Sequence, residues 1–427
     1  MVRTATYSEF SSQIHERQND RRIAAEVSIE VTHRCPLECQ HCYNNLPMSD
    51  KEARLAEMSL DEYVKLFDEL HAAGCLWVLL TGGEIFARKD FLDIYAEAKK
   101  RGFLITLFTN GTMITPRIAD YLAEYPPFSI EITLYGATRE TYEALTRISG
   151  SYDRCMKGIH LLLERKLPLK LKTVPTTVNY HEVFEMKRFA EEELGVEFKF
   201  DPLVNPRTDC SQSPLDVRLS PEQVVALDFH DPVRKAEYHR IAQAERAVAN
   251  REPVSTKYTC GGGQNGCAID PNGNMTICVL SHKDGHNLRD GSFADGWNGR
   301  LKEIRETPAS KETICTKCGI QSLCSMCPAN GELEGGDSET PVDFLCQVAH
   351  LRAYTLGLEV AQHGDCPCCE GGIHHEKLQA SATRLLTTSP SFENIFALPA
   401  APGAFPILQT AGRCGTGGCS SCGPATR

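Results

Sequence analysis

No stretch of this 427-residue sequence approaches the roughly 18 consecutive apolar residues of a membrane-spanning helix, so no membrane partner is expected. The opening residues 1–20 are polar and mixed in charge, and they lack the apolar centre of a secretory signal peptide. Positive charge is in deficit: 45 Lys and Arg face 56 Asp and Glu, a formal net charge of −11. That balance argues against nucleic acid or an anionic membrane surface as a partner. Together these absences predict a cytoplasmic location. There, structural disulfides are disfavoured, which makes the 20 cysteines the anomaly of the composition. Clustered thiols in a reducing compartment read as metal ligands or redox groups.

Eleven of the cysteines fall into two groups with interpretable spacing. The first is Cys35, Cys39 and Cys42 in "HRCPLECQHC". Two thiols would suit a disulfide or redox pair, and four would close a tetrahedral zinc site. Three suggest a metal centre left one ligand short, such as a [4Fe–4S] cube with one iron open to substrate. A zinc reading needs a fourth ligand, for which His33 or His41 is at hand. Cys75, Cys155 and Cys210 are isolated and read as ordinary buried thiols.

Short β-rich runs at 26–32, 76–81, 103–109, 128–135, 169–174 and 196–201 alternate with helical stretches. Ser59 and Glu62 form a capping box ahead of an apolar face made by Leu60, Tyr63, Leu66, Phe67 and Leu70. Six strands separated by helices imply an α/β fold with a parallel sheet and a site where strands end and loops begin. The cysteine triad follows the first strand, and "TGGE" (81–84) follows the second. Adjacent glycines there permit close backbone approach, and Glu84 offers an acceptor to a cationic amine. Lys170 and Lys172 alternate with Leu169 and Leu171 on the fifth strand, so the lysine side faces the barrel interior or one rim; an exposed strand end is the first reading and a functional role the second.

CPLECQHC resembles the Cx3CxφC motif of the radical S-adenosylmethionine (SAM) superfamily, with His41 as the aromatic φ, and TGGE resembles that family's GGE motif. The resemblance implies a partial (β/α)6 barrel over residues 25–202, in which SAM chelates the open iron. One electron from the cluster then releases a 5′-deoxyadenosyl radical that abstracts hydrogen. It further implies that Gly82, Gly83 and Glu84 meet the methionine amino group and that His41 lies near the adenine. Asn110, Thr133 and Arg154 match positions that line the ribose and carboxylate. Asn110–Gly111 is equally a plain turn, and Arg154 equally a solvated helix residue.

The second group comprises Cys260, Cys267, Cys278, Cys315, Cys318, Cys324, Cys327 and Cys346. Eight thiols suit two closed clusters, or a pair of zinc knuckles. Cys260, Gly273 and Cys278, then Cys315-x2-Cys318-x5-Cys324, resemble the SPASM domain, except that Cys327 follows after two residues, not three. The resemblance implies two auxiliary [4Fe–4S] clusters, one on Cys260, Cys267, Cys278 and Cys327 and one on Cys315, Cys318, Cys324 and Cys346. It places this small cysteine-rich domain at 256–363, after an N-terminal extension (1–24), the barrel and a linker with two helical segments (203–255). A closing helix is expected over 347–363. From 364 to 427 the chain reads as a loop-like tail holding Cys366, Cys368, Cys369, Cys414, Cys419 and Cys422, which have no place in the cluster count. Beside His374 and His375 they read as a flexible thiol tail without catalytic role, as an extra metal site that CPCC completes, or as a dithiol relay or tethered substrate-like segment.

Radical SAM proteins with such a domain mostly modify peptides or proteins, with a low-potential flavodoxin or ferredoxin as electron donor. That is the expected function. The alternatives are a small metabolite such as a tetrapyrrole as substrate, or a non-catalytic iron–sulfur electron carrier. The segment before the first strand is too short for a winged-helix leader-peptide domain. Val279 after Cys278 stands where sulfatase-maturating enzymes place a catalytic Asp, which disfavours formylglycine formation.

Overall fold

The computed structural model describes Tyr7 and residues 10–14, 21–247, 256–281 and 283–387. The chain forms two compact units, one of residues 1–201 with 260–307 and one of residues 202–259 with 308–427. The cysteine-rich segment expected as one piece is thus divided at residue 307. No helix among the described residues is long and apolar enough to cross a membrane.

In the first unit, β1 (Glu26–Glu30), β2 (Trp77–Thr81), β3 (Leu104–Thr109), β4 (Ser129–Thr133), β5 (Leu169–Thr173) and β6 (Glu197–Phe200) pair in chain order, all parallel. Between them run α1 (Leu60–Ala72), α2 (Phe91–Lys100), α3 (Pro116–Glu124), α4 (Arg139–Thr146), α5 (Ser151–Glu164) and α6 (Val183–Arg188). This is the α/β arrangement the alternation predicts. The Ser59–Glu62 capping box forms, and Tyr63, Leu66, Phe67 and Leu70 are buried.

Period-two patterning sorts the sheet into two faces. Val27, Ile29, Val78, Leu80, Ile105, Leu107, Ile130, Ile132 and Leu171 are all at most 1% exposed and form the core against the helices. The other face carries Phe108 and, around it, Glu30, Glu131, Thr133, Lys172 and Lys199, polar groups that a core would reject. The sheet does not stop at β1. Strands β7 (Gly266–Ile269), β8 (Asn274–Thr276) and β9 (Gly285–Asn287) extend it past the free edge of β1, β7 parallel and the next two antiparallel.

The second unit is helical: α7 (Pro221–His230), α8 (Pro232–Ala247), α9 (Asp343–Thr355) and α10 (His375–Thr387). Its core includes Ala242, Ile320, Leu323, Ala349, Ala353 and Leu356. Asp228, wholly buried, is paired with Arg352 at 2.8 Å and Arg234 at 2.6 Å. Arg352 also donates to the Leu323 carbonyl, which fixes the loop before Cys324 to α9.

Two expectations are corrected here. The closing helix runs over 343–355, not 347–363, because Gly357 takes φ +65°, a left-handed stop. The segment after 364 is not loop-like through its described part: α10 packs on α9 with Leu378, Ser381 and Ala382 buried. Cys366, Cys368 and Cys369 are at most 2% exposed. Cys414, Cys419 and Cys422 lie outside the described residues.

Candidate metal centres

The first cysteine loop leaves the C-terminal end of β1 and is closed at its neck by a two-residue parallel bridge, Arg34–Cys35 with Leu46–Pro47. Two buried carboxylates hold it. Glu30, the last residue of β1, accepts from Asn44 Nδ2 at 2.6 Å, Tyr43 Oη at 2.9 Å and His33 Nε2 at 3.2 Å. Glu57 takes a two-pronged pair from Arg34, at 2.9 and 3.0 Å. Charge-assisted, bidentate bonds of this kind fix geometry as well as add energy. Neither carboxylate was singled out in the sequence, because an isolated Glu carries no spacing signal.

Within the loop, the Cys42 amide donates to the Cys39 carbonyl at 3.1 Å, and the Leu37 amide donates to Cys35 Sγ at 3.4 Å. Burial, then the charge of Glu84, pushes the Cys35 thiol up to about 12. Burial, then Cys42 and Cys35, holds Cys39 well above the ordinary thiol range, although the Tyr135 hydroxyl bonds to it. Three mutually opposed, poorly solvated thiols are a donor set that suits a cationic metal centre, since coordination removes their protons and offsets their repulsion. The residues therefore fit the cluster that the sequence implies.

The two glycines after β2 face that loop. A Cβ on Gly82 (φ +133°) would collide with the Thr32 carbonyl oxygen, and one on Gly83 with the His33 carbonyl. The Gly83 amide donates to Thr32 O at 2.7 Å, and the Glu84 amide to Arg34 O at 3.0 Å. These glycines let one strand end clasp the neck of the cysteine loop. Glu84 is 1% exposed and accepts from Thr109 Oγ1 (2.7 and 2.9 Å), the Asn110 amide (2.8 Å) and the Phe86 amide (3.2 Å). Burial raises its carboxyl to about 6 against those bonds. It thus ties the ends of β2 and β3 together beside Cys35.

Asn110 Nδ2 lies 3.5 Å from Cys35 Sγ, and its Oδ1 caps Thr112. The buried His41 ring sits 5.4 Å from that of Tyr135, and burial lowers its pKa to about 4, so the ring is neutral. Its Nδ1 is buried with no hydrogen-bond partner among the described residues. Thr133 ends β4 opposite Lys172. Arg154 is exposed on the first turn of α5, as a solvated helix residue would be. The structure thus gathers Cys35, Cys39, Cys42, His41, Glu84 and Asn110, with Gly82 and Gly83 beneath the loop.

On the face away from the helices, Glu131 pairs with Lys199 at 2.8 Å and Lys172 at 3.3 Å. The Lys172 ammonium also lies over the Phe108 ring. Burial brings Lys172 down to about 7, with Glu131 opposing and Lys199 adding to the shift. Lys172 keeps 19% of its side-chain surface, whereas Lys170 keeps 39% and pairs with Glu197. The exposed strand-end reading therefore fits Lys170 and fails for Lys172.

The second cysteine group is split. Cys260, Cys267 and Cys278 belong to the first unit, and Cys315, Cys318, Cys324, Cys327 and Cys346 to the second. Gly273 (φ +83°) makes the β7–β8 turn, where Asp270 Oδ1 caps the Asn272 and Asn274 amides at 2.8 Å each. Cys278 follows β8 and lies close enough to Tyr43 to add to the upward shift of its hydroxyl, after burial, Glu30 and Cys42. Cys267 sits in β7 in register with Val27, hence on the helix-facing side, where its electrostatic neighbours are Cys75, Arg22 and Glu26.

In the second unit, the Cys318 amide donates to the Cys315 carbonyl at 3.3 Å, and the Met326 amide to Cys324 Sγ at 3.3 Å. Burial, then Cys324 and Cys318, raises Cys315 to about 12, and Cys366 adds to the shift. Cys346 Sγ on α9 is 3.7 Å from Cys366 Sγ and 3.6 Å from His350 Nδ1. Cys366 is held below the ordinary thiol range by hydrogen bonds from Cys346 and Cys368. Cys366, Cys368 and Cys369, outside the cluster count in the sequence, thus stand beside Cys346. Sequence spacing could have flagged only the C-x2-C of Cys366 and Cys369.

Comparison with known proteins agrees with this arrangement. The sequence model of the Radical SAM superfamily matches residues 29–190, and that of the SPASM iron–sulfur cluster-binding domain matches residues 260–319. An AdoMet-dependent heme synthase from Methanosarcina barkeri is 26% identical over 329 residues, covering 73% of this chain and 93% of the relative. The mycofactocin maturase MftC of Mycobacterium tuberculosis is 27% identical over 323 residues, covering 72% of this chain and 79% of the relative. Streptococcus suis SuiB bound to its precursor peptide SuiA superimposes with a TM-score of 0.58 at 16% identity, over 77% of this chain and 79% of that one. At that identity the likeness is one of fold.

Proposed function

Because the chain belongs to the radical SAM superfamily and carries an SPASM domain, we propose that it abstracts hydrogen from a peptide or protein and so modifies it after translation. The observation that carries this reading is the triad Cys35, Cys39 and Cys42, gathered beside Glu84 and Asn110, in a chain similar over 323 residues to a mycofactocin maturase. When bound, the cluster supplies the electron that cleaves SAM and yields the hydrogen-abstracting 5′-deoxyadenosyl radical.

The chain's own residues do the rest. Cys35, Cys39 and Cys42 hold the SAM-binding cluster, while Glu30 and Glu57 fix the loop. Gly82, Gly83 and Glu84 shape the floor of the SAM site; the neutral His41 ring lies at its apolar edge, and Asn110 and Thr133 face its polar side, while Arg154 stays in solvent. Cys260, Cys267, Cys278, Cys315, Cys318, Cys324, Cys327 and Cys346 would hold auxiliary iron–sulfur clusters, which, being fully ligated, would offer electron transfer and no SAM site. Glu131, Lys172 and Lys199 line the face on which a polar substrate rests, and Lys172, near pKa 7, can hold or release a proton there. A flavodoxin or ferredoxin in the cytoplasm delivers the reducing electron.

A second reading, a tetrapyrrole as substrate, draws on the similarity to the heme synthase. One experiment separates the two. Reduced holoenzyme with SAM is given, in parallel, the short peptides encoded beside its gene and iron-coproporphyrin-type tetrapyrroles, and products are read by mass spectrometry. A peptide losing hydrogen mass supports the proposal; a changed tetrapyrrole with unchanged peptides overturns it.

A further inference from the structure

We propose that His350, His363, Cys366 and Cys369 form a mononuclear zinc site in the second unit, separate from any iron–sulfur cluster. The proposal goes beyond the functional reading and borrows from it one point only, that Cys315, Cys318, Cys324 and Cys346 already make a full set of four thiolates. Two imidazoles and three thiols, Cys366, Cys368 and Cys369, are then left over in the same pocket, and of the three Cys368 groups with Cys346, not with His363.

The four residues are 1%, 4%, 2% and 0% exposed, and one ligand atom from each lies within 4.8 Å of all the others. Burying so many polar donors without water or a partner is costly, so an arrangement that turns all four toward one point calls for a cation. His350 Nε2 is 3.7 Å from Cys366 Sγ and 3.6 Å from Cys369 Sγ. His363 Nε2, the nitrogen left free once Nδ1 faces a carbonyl, is 4.0 Å from Cys369 Sγ. Zinc bonds of about 2.3 Å to sulfur and 2.0–2.1 Å to nitrogen give a tetrahedron with edges of about 3.4–3.8 Å. Most of the observed separations are those edges.

The surroundings are those of a ligand shell. His350 Nδ1 sits 2.9 Å from the Cys346 carbonyl, which turns Nε2 toward the two thiols. His363 Nδ1 is 2.9 Å from the Ala361 carbonyl. A metal-bound imidazole commonly donates its other nitrogen to just such an oxygen. Cys366 and Cys369 form a C-x2-C turn closed by the Cys369 amide on the Cys366 carbonyl (3.3 Å), and Tyr354 Oη pins the turn through Cys368 O at 2.7 Å. Two sulfurs and two nitrogens in a tetrahedron favour zinc. A two-iron centre would place its imidazoles and thiols on different irons, farther apart than the 3.6 and 3.7 Å contacts of His350 Nε2 with the two thiols allow. The ion would join α9, the 357–365 connection and the 366–369 turn that precedes α10, with no redox role.

The test uses the full-length protein, reconstituted anaerobically with iron, sulfide and one equivalent of zinc. Metal analysis should find about one zinc alongside about 12 iron atoms. X-ray absorption at the zinc edge should show two sulfur and two nitrogen neighbours. C366S/C369S should lose at least tenfold of its zinc with its iron unchanged, whereas C368S should keep both. A zinc-free wild type with full iron would overturn the proposal, as would a four-sulfur zinc shell or the loss of about four irons from the double variant. The absorption spectrum is read on wild type, so it decides even if the double variant fails to fold. SAM cleavage is assayed alongside: its absence would refute the functional reading and leave the zinc result standing.

Discussion

The two cysteine-rich regions differ in how their donors are brought together. In the first unit, three thiols come from eight consecutive residues, Cys35 to Cys42, hung from one strand end. In the second, the donors run from Cys315 to Cys369 and include two histidines, gathered by helix packing and a buried Asp228–Arg352 pair. A local set can be deliberately incomplete and still hold its shape, because Glu30, Glu57 and the glycine clasp fix its backbone. A set assembled over more than fifty residues depends on the whole unit, and it carries donors in excess. The first arrangement suits a centre that must exchange its fourth ligand; the second suits closed centres that stay as they are.

The largest effect that would sharpen this contrast is removal of the first set alone. Changing Cys35, Cys39 and Cys42 together to Ala should abolish SAM cleavage and remove about a third of the iron while leaving the second unit's metals in place. If metal disappeared from both regions, they would not be independent. Next comes Gly82→Ala. Its Cβ has no room against Thr32, and φ +133° is strained for alanine, so the loop should shift. Iron in the first site should fall several-fold, with a stability loss on the order of 2–3 kcal/mol by chemical denaturation. Wild-type iron content in this variant would mean that the clasp is dispensable.

These two changes also mark what the sequence made legible. The six strands of the parallel sheet end within two residues of the runs legible in the sequence, because a two-residue period with β-branched side chains is a local property. So were the Ser59 cap and the motif glycines, although the glycines turned out to clasp the loop's backbone. The strands β7–β9 were not seen, since runs of three or four residues such as "GCAI" and "NMT" carry no periodicity and exist only because β1 has a free edge. The segment "HGDCPCCEGG" reads as a loop by composition, and its burial comes from contacts with α9 that no local pattern records. Glu30, Tyr43, Glu57 and Tyr135 were missed for the same reason. Each is a single residue whose role is set by what folds against it.

Smaller effects test individual residues. Glu84→Ala should leave the iron in place and weaken SAM binding by about 10- to 100-fold, the loss of a charge-assisted bond of about 1.5–3 kcal/mol. Unchanged affinity, read by isothermal titration, would confine Glu84 to joining β2 and β3. Lys172→Met probes the polar face through pH. The Lys172 pKa is about 7 in the folded chain and lower than when unfolded, so the unfolded chain binds the extra proton between those values and wild-type stability rises with pH above 7. The methionine variant lacks that rise. Its stability gain over wild type should be largest near pH 6, on the order of a few kcal/mol, and shrink by pH 9.5. A pH-independent difference would place the ordinary lysine pKa there. Smallest of all, Arg154→Ala should change SAM affinity less than about threefold, because the side chain is exposed on α5.

The most direct test of the contrast is 5′-deoxyadenosine formation by the anaerobically reconstituted full-length protein, reduced and given SAM, beside a Cys42→Ala variant. Wild type should release 5′-deoxyadenosine and methionine in equal amounts, and Cys42→Ala should release none while keeping about two-thirds of its iron. A wild-type protein with full iron and no 5′-deoxyadenosine would contradict the account, because the incomplete thiol set would then have no substrate to complete it.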